Sequence, residues 1–188
     1  MAKWALVTGA TAGIGESFTR LLASKGFDIA LVARDEARLH ERAAALREKY
    51  GVQTFVLPAD LATAQGCASV EEYLKEFDIE VLINNAGFGI NKAFTASDLN
   101  AEQDLLDVLV RTPMRLMHVI LPKMKERNSG TIINVSSVAS FIAGGTYSAS
   151  KSYLTVLSES LHTELRELQI LERINICHQV AICAVRVD

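Results

Sequence analysis

The sequence predicts an α/β fold in which helices cover both faces of a doubly wound parallel sheet. Two observations carry this prediction. Short apolar runs alternate with longer amphipathic segments from the first residues onward, and a glycine-rich turn follows the first run. Parallel strands need long crossover connections, and right-handed crossovers place the connecting helices over the sheet. The alternation therefore indicates successive βαβ units.

Five short apolar runs have the length and the boundaries of β-strands. Most are bounded by Gly, Asp, Asn or Ser, which commonly end strands. The predicted strands are Trp4 to Val7, Asp28 to Ala33, Gln53 to Leu57, Glu80 to Ile83 and Thr131 to Val135.

Between the first four runs, apolar residues recur at helical spacing and charged residues occupy the other face. These predicted helices are Ile14 to Lys25, Glu36 to Tyr50 and Cys67 to Phe77. Two longer helical segments follow, Leu99 to Arg127 and Tyr147 to Gln169. We expect the first of them to be interrupted near Pro113 and Pro122, because proline lacks the N–H that a helix needs.

Composition indicates one domain over residues 1–188, since the chain has 188 residues, of which 49% are hydrophobic. The 19 basic and 22 acidic residues nearly balance, which gives no reason to expect nucleic acid or a membrane as a partner. Neither a signal peptide nor an apolar run of membrane-spanning length is recognisable, so a cytoplasmic location is expected.

Cysteines and histidines are too scattered to indicate a metal site. An odd number of cysteines also argues against a disulfide framework, and reduced thiols are expected. The residues concerned are Cys67, Cys177, Cys183, His40, His118, His162 and His178.

The segment from Thr8 to Gly15 closes the first strand and opens the first helix. Gly9 can make the tight turn, Gly13 lets the backbone approach a pyrophosphate, and Gly15 allows close packing of helix and strand. Free N–H groups at the helix start, such as that of Ile14, would face the phosphates. The arrangement predicts a Rossmann-like dinucleotide site, although a glycine cluster alone could be a flexible turn.

Two residues at the end of the second strand bear on the choice of nicotinamide cofactor. Arg34 could pair with the 2′-phosphate of NADP, which favours NADP over NAD. Asp35 is adjacent and could instead hydrogen-bond the 2′-hydroxyl of NAD. The third alternative is that Arg34 is a solvated charge or a partner of Glu36.

Tyr147 and Lys151 are four residues apart in a helical segment, so their side chains share a face. A free tyrosine titrates near pH ~10, but a nearby ammonium favours the phenolate. Taken singly, Tyr147 could be a half-buried aromatic, Lys151 a solvated charge and Ser137 a strand-end cap. Following the glycine turn, the pair instead predicts acid/base chemistry.

Four separated motifs resemble those of the short-chain dehydrogenase/reductase family, from about Lys3 to about Leu168. The glycine turn is similar to the family's TGxxxGxG, and Asp60 followed by Leu61 matches an acidic position after the third strand. Asn84 to Gly87 reads NNAG, and Tyr147 to Lys151 reads YxxxK. Their order along the chain is that of the family.

The resemblance implies a role for each matching residue. Tyr147 would be the general acid/base, Lys151 would lower its pKa and hold the nicotinamide ribose, and Ser137 would hydrogen-bond the substrate oxygen. Ser136 is the neighbouring candidate for that last role. The implied cofactor-binding residues are Gly9, Gly13, Ile14, Gly15, Arg34, Asp60, Leu61, Asn85, Ala86, Gly87, Tyr147 and Lys151. The resemblance also implies a homodimer or homotetramer built through the two long helices.

The sequence departs from the family pattern at three places. Leu109 stands where the family usually has an asparagine that routes protons through water, so slower turnover is expected. The stretch from Ile174 to Asp188 suggests a sixth strand, but no Pro-Gly turn, substrate-covering segment or seventh strand follows it. The loop from Ser137 to Tyr147 is also somewhat short. An open site would weaken both hydride transfer and selectivity.

The sequence therefore predicts an oxidoreductase that prefers NADP and acts on a carbonyl or a secondary alcohol. The alternative is a catalytically silent module for dinucleotide binding or protein association, which Leu109 and the C-terminal departure favour. Phe88, Phe141 and Ile142 follow motif ends and could line a pocket or pack in the core.

Overall fold

The computed structural model describes residues 3–166, 173–177 and 180–187, and it divides into two units, Met1–Ala86 and Gly87–Asp188. In the N-terminal unit the predicted strands and helices alternate without exception. The elements are β1 (Trp4–Thr8), α1 (Gly13–Ser24), β2 (Asp28–Ala33), α2 (Glu36–Tyr50), β3 (Thr54–Pro58), α3 (Ala64–Glu76) and β4 (Ile79–Asn84).

The sheet of the N-terminal unit is parallel, with the strand order β3-β2-β1-β4. Helices cover both faces of such a sheet, so its central strands are continuous apolar runs, and Leu6, Leu31 and Ile83 are fully buried. The chain adds β2 and β3 on one side of β1 and β4 on the other. The carboxyl ends of β1 and β4 therefore form a topological switch point, where open α/β sheets bind ligands.

The described residues of the C-terminal unit form two long helical regions and three strands. Its elements are a 3₁₀ turn (Phe94–Ala96), α4 (Leu99–Leu106), a π-helical turn (Asp107–Arg111), α5 (Thr112–Glu126), β5 (Gly130–Val135), a second 3₁₀ turn (Val138–Phe141), α6 (Gly145–Arg166), β6 (Arg173–Cys177) and β7 (Val180–Val187).

The predicted interruption near Pro113 is present as the π-helical turn between α4 and α5. Pro113 has no N–H to donate to the carbonyl of Leu109, and its ring would clash with that carbonyl. The backbone widens instead, and the N–H of Thr112 donates to the carbonyl of Asp107 five residues earlier. The interruption predicted near Pro122 was wrong. α5 continues through Pro122 because its apolar face, including Met117 and Met124, is buried.

A sixth strand without a seventh was expected after α6, but the described residues there form two antiparallel strands, β6 and β7, so the predicted lack of a seventh strand was wrong. β7 pairs antiparallel with β5 and with β6, in the order β5-β7-β6. The sequence between Ile174 and Val187 contains neither glycine nor proline, so the pattern gave no sign of a break. Residues 167–172 and 178–179 lie outside the described residues, as do the predicted helix end at Gln169 and the side chain of His178.

No helix within the described ranges has both the length and the apolar content needed to cross a membrane.

Candidate active site

The glycine turn lies at the switch point of the N-terminal unit. Gly9 adopts a φ of 66°, and an added Cβ would lie 2.8 Å from Nδ2 of Asn85. At Gly15 the restriction is stronger, because an added Cβ would lie 2.1 Å from the carbonyl oxygen of Gly9. Gly13 differs from both, since its φ is 57° but its surroundings are open. Two glycines are thus needed for close approach, and Gly13 for backbone conformation.

Hydrogen bonds fasten the glycine turn to the end of β4. The Oγ1 hydroxyl of Thr8 accepts from the backbone N–H groups of Asn85 (2.9 Å) and Ala86 (3.0 Å) and donates to the carbonyl of Ile83 (3.2 Å). In the opposite direction, Asn85 Nδ2 donates to the Thr8 carbonyl at 2.9 Å and to the Gly9 carbonyl at 3.3 Å. Asn85 and Ala86, predicted as cofactor-binding residues, therefore shape the turn in this structure.

The first turn of α1 has backbone donors available for an anion. Its N-cap residue is Ala12, whose methyl side chain cannot accept a hydrogen bond. Glu16 is the first residue whose N–H is used in an α-helical bond, to the carbonyl of Ala12 at 3.2 Å. The N–H groups of Gly13, Ile14 and Gly15 precede that bond, at the positive end of the helix dipole. This geometry suits a phosphate group.

Arg34 and Asp35 have different roles at the end of β2. The Asp35 carboxylate is the N-cap of α2 and accepts from the backbone N–H of Arg38 at 3.0 Å. Arg34 is exposed and has no ion pair within the described residues, while Glu36 pairs with His40 at 3.8 Å. The interpretation of Arg34 as a partner of Glu36 is therefore wrong, and its guanidinium is available for an anion.

Asp60 and Leu61 follow β3 in a tight turn. The Asp60 carboxylate accepts from the N–H of Ala62 at 3.1 Å, and its carbonyl accepts from Thr63. Gly66 packs so closely on this turn that an added Cβ would lie 2.1 Å from the Asp60 carbonyl oxygen. Asp60 is exposed and Leu61 is buried. Gly87, the last residue of the NNAG motif, begins the C-terminal unit and is exposed.

Ser137 lies two residues after the end of β5 and is the N-cap of the second 3₁₀ turn. Its Oγ accepts from the backbone N–H of Ala139 at 3.2 Å. The hydroxyl hydrogen has no acceptor among the described residues, so Ser137 can donate to another oxygen. Ser136, the alternative candidate, is buried, and its hydroxyl is hydrogen-bonded to Ser140, Thr155 and the Lys151 carbonyl. The geometry therefore favours Ser137.

Tyr147 and Lys151 lie on one face of α6, as their spacing predicts. The Lys151 ammonium is 5.8 Å from the centre of the Tyr147 ring and donates to the Val135 carbonyl at 2.6 Å. Only 5% of Lys151 is exposed, and this burial lowers its pKa to about 8 from an ordinary value of 10.5. Near pH 7 the lysine therefore remains mainly charged and can stabilise a phenolate.

Burial of Lys151 predicts a specific pH dependence of stability. Its folded pKa lies below its unfolded pKa, so the unfolded state binds more protons between pH 8 and 10.5. Below this window the buried charge costs about 3 kcal/mol, and the cost disappears as pH rises through the window. We expect the stability difference between Lys151→Met and wild type to change by about 3 kcal/mol between pH 8 and 10.5, in favour of the wild type.

Urea denaturation at a series of pH values measures this difference. Lys92→Met is the matched control, because Lys92 is exposed in the same unit. A difference between Lys151→Met and wild type that stays constant across the window would contradict the desolvation of Lys151.

Leu109 and three aromatic or aliphatic residues have contrasting environments. Leu109 is 1% exposed within the π-helical turn. A buried isobutyl group therefore occupies the position at which an asparagine was expected from the family resemblance. Phe88, Phe141 and Ile142 are instead 39%, 67% and 63% exposed. Core packing was therefore the wrong alternative for these three residues.

Sequence reasoning missed two features of the candidate site. The Thr8 hydroxyl, read only as part of a glycine motif, joins the turn to β4. A cluster of hydroxyl side chains links the Ser137 turn to α6, and its sequence signal is the i, i+3 pair Ser152 and Thr155. No group of side chains among the described residues could hold a metal ion.

Comparison with solved structures identifies the fold. The bulky-bulky ketone specific alcohol dehydrogenase from Comamonas testosteroni matches with a TM-score of 0.85 and 33% sequence identity, covering 88% of this chain and 68% of that one. A short-chain dehydrogenase from Sphingobium yanoikuyae in complex with NADPH matches with the same TM-score and 34% identity, covering 88% and 66%. These likenesses confirm the predicted Rossmann-like α/β fold class.

Comparison with curated proteins gives relatives with differing activities. The very-long-chain 3-oxoacyl-CoA reductase of Laccaria bicolor is 37% identical over 180 residues, which cover 92% of this chain and 53% of the relative. The inactive hydroxysteroid dehydrogenase-like protein 1 of Homo sapiens is 33% identical over 168 residues, covering 86% and 51%. The chain thus spans about half the length of these relatives. A family model for short chain dehydrogenases matches residues 3–181, and the chain belongs to that family.

Proposed function

We propose that the protein is an oxidoreductase that transfers a hydride between NADP and a carbonyl or secondary alcohol substrate. The observation that carries the proposal is the buried Lys151 ammonium, held 5.8 Å from the Tyr147 ring on one face of α6. Burial penalises the lysine charge, and its hydrogen bond to the Val135 carbonyl offsets only part of that penalty, so the placement favours a functional lysine over a structural one. A lysine that stabilises the phenolate form of a tyrosine must lie this close to the tyrosine ring.

The residues of the glycine turn and of the motifs that follow would hold the dinucleotide. N–H groups of Gly13, Ile14 and Gly15 would bind the pyrophosphate. Asp60 and Leu61 would hold the adenine, and Asn85, Ala86 and Gly87 would line the nucleotide. The open surroundings of Gly13 and the uncapped start of α1 support this assignment, because both leave room for a phosphate at backbone donors.

In the reaction, this chain supplies the proton and stabilises charge on the substrate oxygen. A bound nicotinamide supplies the hydride in the reductive direction and accepts it in the reverse one. Tyr147 donates its phenolic proton to the substrate oxygen as the carbonyl becomes an alcohol, and the Lys151 charge stabilises the phenolate that remains. Ser137 donates to the same oxygen, with its own Oγ fixed by Ala139.

Arg34 supports a preference for NADP over NAD. Its guanidinium is exposed beside the start of α2, and Asp35 is occupied as the cap of that helix. A charge-assisted bond to the 2′-phosphate contributes about 1.5–3 kcal/mol, so we expect Arg34→Ala to weaken NADPH binding about 10- to 100-fold and leave NADH binding unchanged.

Fluorescence titration with both nucleotides measures the effect of Arg34→Ala. Arg47→Ala is the control, because Arg47 is exposed at the other end of the same helix and donates to Thr54. Equal weakening of NADPH and NADH in the Arg34 variant would rule out recognition of the 2′-phosphate.

The wider context of the reaction is also part of the proposal. The substrate is a small molecule. Neither nucleic acid nor a membrane is a partner. The enzyme acts in the cytoplasm as a homodimer or homotetramer. Residues 1–188 serve as a single functional domain. Relatives named as a ketone-specific alcohol dehydrogenase and a 3-oxoacyl-CoA reductase support a ketone substrate.

The decisive experiment titrates NADPH by fluorescence and then follows its consumption with a panel of ketones and aldehydes. We expect saturable binding and consumption that depends on the carbonyl compound. Binding without consumption would favour the alternative, a catalytically silent dinucleotide-binding module. The observation that favours that alternative is Leu109, whose buried side chain cannot hydrogen-bond water where family members carry an asparagine.

A further inference from the structure

Four hydroxyl side chains connect the 3₁₀ turn that follows Ser137 to the turn of α6 that carries Lys151. We call them the hydroxyl cluster. Its members are Ser136, Ser140, Ser152 and Thr155.

Ser140 is the centre of this cluster. Its Oγ donates to the Ser137 carbonyl, which also accepts from the Ser140 backbone N–H at 3.0 Å. The same Oγ lies 2.8 Å from the Ser136 hydroxyl and 3.1 Å from that of Thr155. The Ser140 carbonyl in turn accepts from the Ser152 hydroxyl. One residue thus contacts both the Ser137 turn and two positions of α6.

The far end of the cluster is fixed at the backbone of Lys151. Thr155 Oγ1 and Ser136 Oγ lie 3.0 Å and 3.1 Å from the Lys151 carbonyl oxygen, and these two hydroxyls lie 2.7 Å apart. Each hydroxyl has a single hydrogen, so one of them donates to the Lys151 carbonyl while the other donates within the cluster. Ser136 and Thr155 are both buried. Low local polarity strengthens such bonds and makes an unmatched hydroxyl costly, so the arrangement should hold one geometry.

Apolar packing does little to hold the Ser137 turn. None of the residues of the 3₁₀ turn Val138–Phe141 is buried, and Val138 and Phe141 are exposed. Hydrogen bonds therefore fix the orientation of this turn. Loss of the Ser140 hydroxyl would remove the side-chain donor to the Ser137 carbonyl and a link to Ser136 and Thr155.

We propose that Ser140 is a positioning residue, which uses the hydroxyl cluster to fix the Ser137 hydroxyl relative to the turn of α6 that carries Lys151. This inference rests on the proposed function. The cluster acts on position and not on proton transfer. Its outer bonds end on the backbone carbonyls of Ser137 and Lys151, and none of its hydroxyls bonds to the Ser137 hydroxyl or the Lys151 ammonium within the described residues.

A double-mutant cycle between Ser140 and Ser137 tests the proposal. Misplacement of a catalytic group by a fraction of an ångström to one ångström lowers rates severely, so Ser140→Ala should lower kcat about tenfold or more. The KM for the ketone and the Kd for NADPH should stay within about twofold, since the cluster does not bind either. In a Ser137→Ala background, the same Ser140→Ala change should alter kcat by less than about twofold, because no hydroxyl remains to be positioned.

Three further variants separate positioning from a loss of stability. Ser140→Thr keeps the hydroxyl and should restore most of the kcat. Thr155→Val keeps the shape, removes one hydroxyl of the cluster and should reproduce the effect of Ser140→Ala if that variant fails to fold. Ser158→Ala is the matched control, since Ser158 is buried on α6 and bonds to Asn134 and Leu154 outside the cluster. It should lower the melting temperature and leave kcat unchanged.

An equal loss of kcat from Ser140→Ala in both backgrounds, or an unchanged kcat in the wild-type background, would overturn the proposal. A wild-type protein that reduces no carbonyl compound would instead refute the proposed function. The two failures are therefore distinguishable.

Discussion

We expect the Tyr147→Phe variant to reduce ketones about 10²- to 10⁴-fold more slowly than the wild type. The substitution keeps the ring and its 5.8 Å separation from the Lys151 ammonium, and removes only the phenolic proton. Because the substrate oxygen then has no acid to protonate it, kcat should fall while NADPH affinity stays within about twofold. Steady-state consumption of NADPH and fluorescence titration measure the two quantities.

Tyr153→Phe is the matched control for this prediction. Tyr153 lies six residues further along α6 and is exposed, so its loss of a hydroxyl should change neither quantity. Turnover by Tyr147→Phe at the wild-type rate would remove Tyr147 from the mechanism.

We expect Gly15→Ala to weaken NADPH binding about 10-fold or more and to destabilise the fold by about 1–3 kcal/mol. The new Cβ would lie 2.1 Å from the Gly9 carbonyl oxygen and 2.5 Å from Nδ2 of Asn85. The start of α1 must therefore move away from β1 or displace the Asn85 amide. Either change disturbs the N–H groups proposed to bind the pyrophosphate. Isothermal calorimetry and urea denaturation measure the two effects.

Gly51→Ala serves as the control for Gly15→Ala. Gly51 has a φ of 70° at the end of α2 and open surroundings, so alanine there costs about 1–2 kcal/mol through backbone strain alone. It should leave NADPH affinity unchanged. Equal nucleotide affinities of the two variants would show that the close contact of Gly15 does not shape the binding site.

The parallel βαβ portion of the fold could be predicted well, because apolar strand runs and amphipathic helix periodicity are both local features of the sequence. β2 and α2 have the predicted bounds, β1 differs by one residue at one end, and β3 and β4 differ by one residue at each end. Apolar runs that are buried on both faces and capped amphipathic helices leave little ambiguity. To predict the arrangement of the strands in the sheet, the preference for right-handed crossover connections is needed as well.

The failures have tertiary causes. Pro122 was expected to break a helix, but burial of its neighbours Ile120 and Met124 outweighs the missing hydrogen bond. The exposure of Phe141 could not be read from an apolar side chain alone.

Residue types and their spacing identified the candidate site more readily than its supporting contacts. Tyr147 and Lys151 were recognised because a four-residue spacing puts both on one face of a helix. The Val135 carbonyl that holds Lys151 is a backbone atom, and no side chain marks it. The contacts of Ser140 join residues from two elements, which a linear pattern does not bring together.

The most direct test of the account is transfer of an isotopic label. NADPH in which both hydrogens on the reactive carbon of the nicotinamide are replaced by deuterium is incubated with the protein and a ketone that the panel identifies as a substrate, and the alcohol is analysed by mass spectrometry. We expect one deuterium in the alcohol, bound to the carbinol carbon, and about 10²- to 10⁴-fold less labelled alcohol from Tyr147→Phe in the same time. Formation of an alcohol without deuterium, or consumption of NADPH without any alcohol, would contradict hydride transfer by this protein.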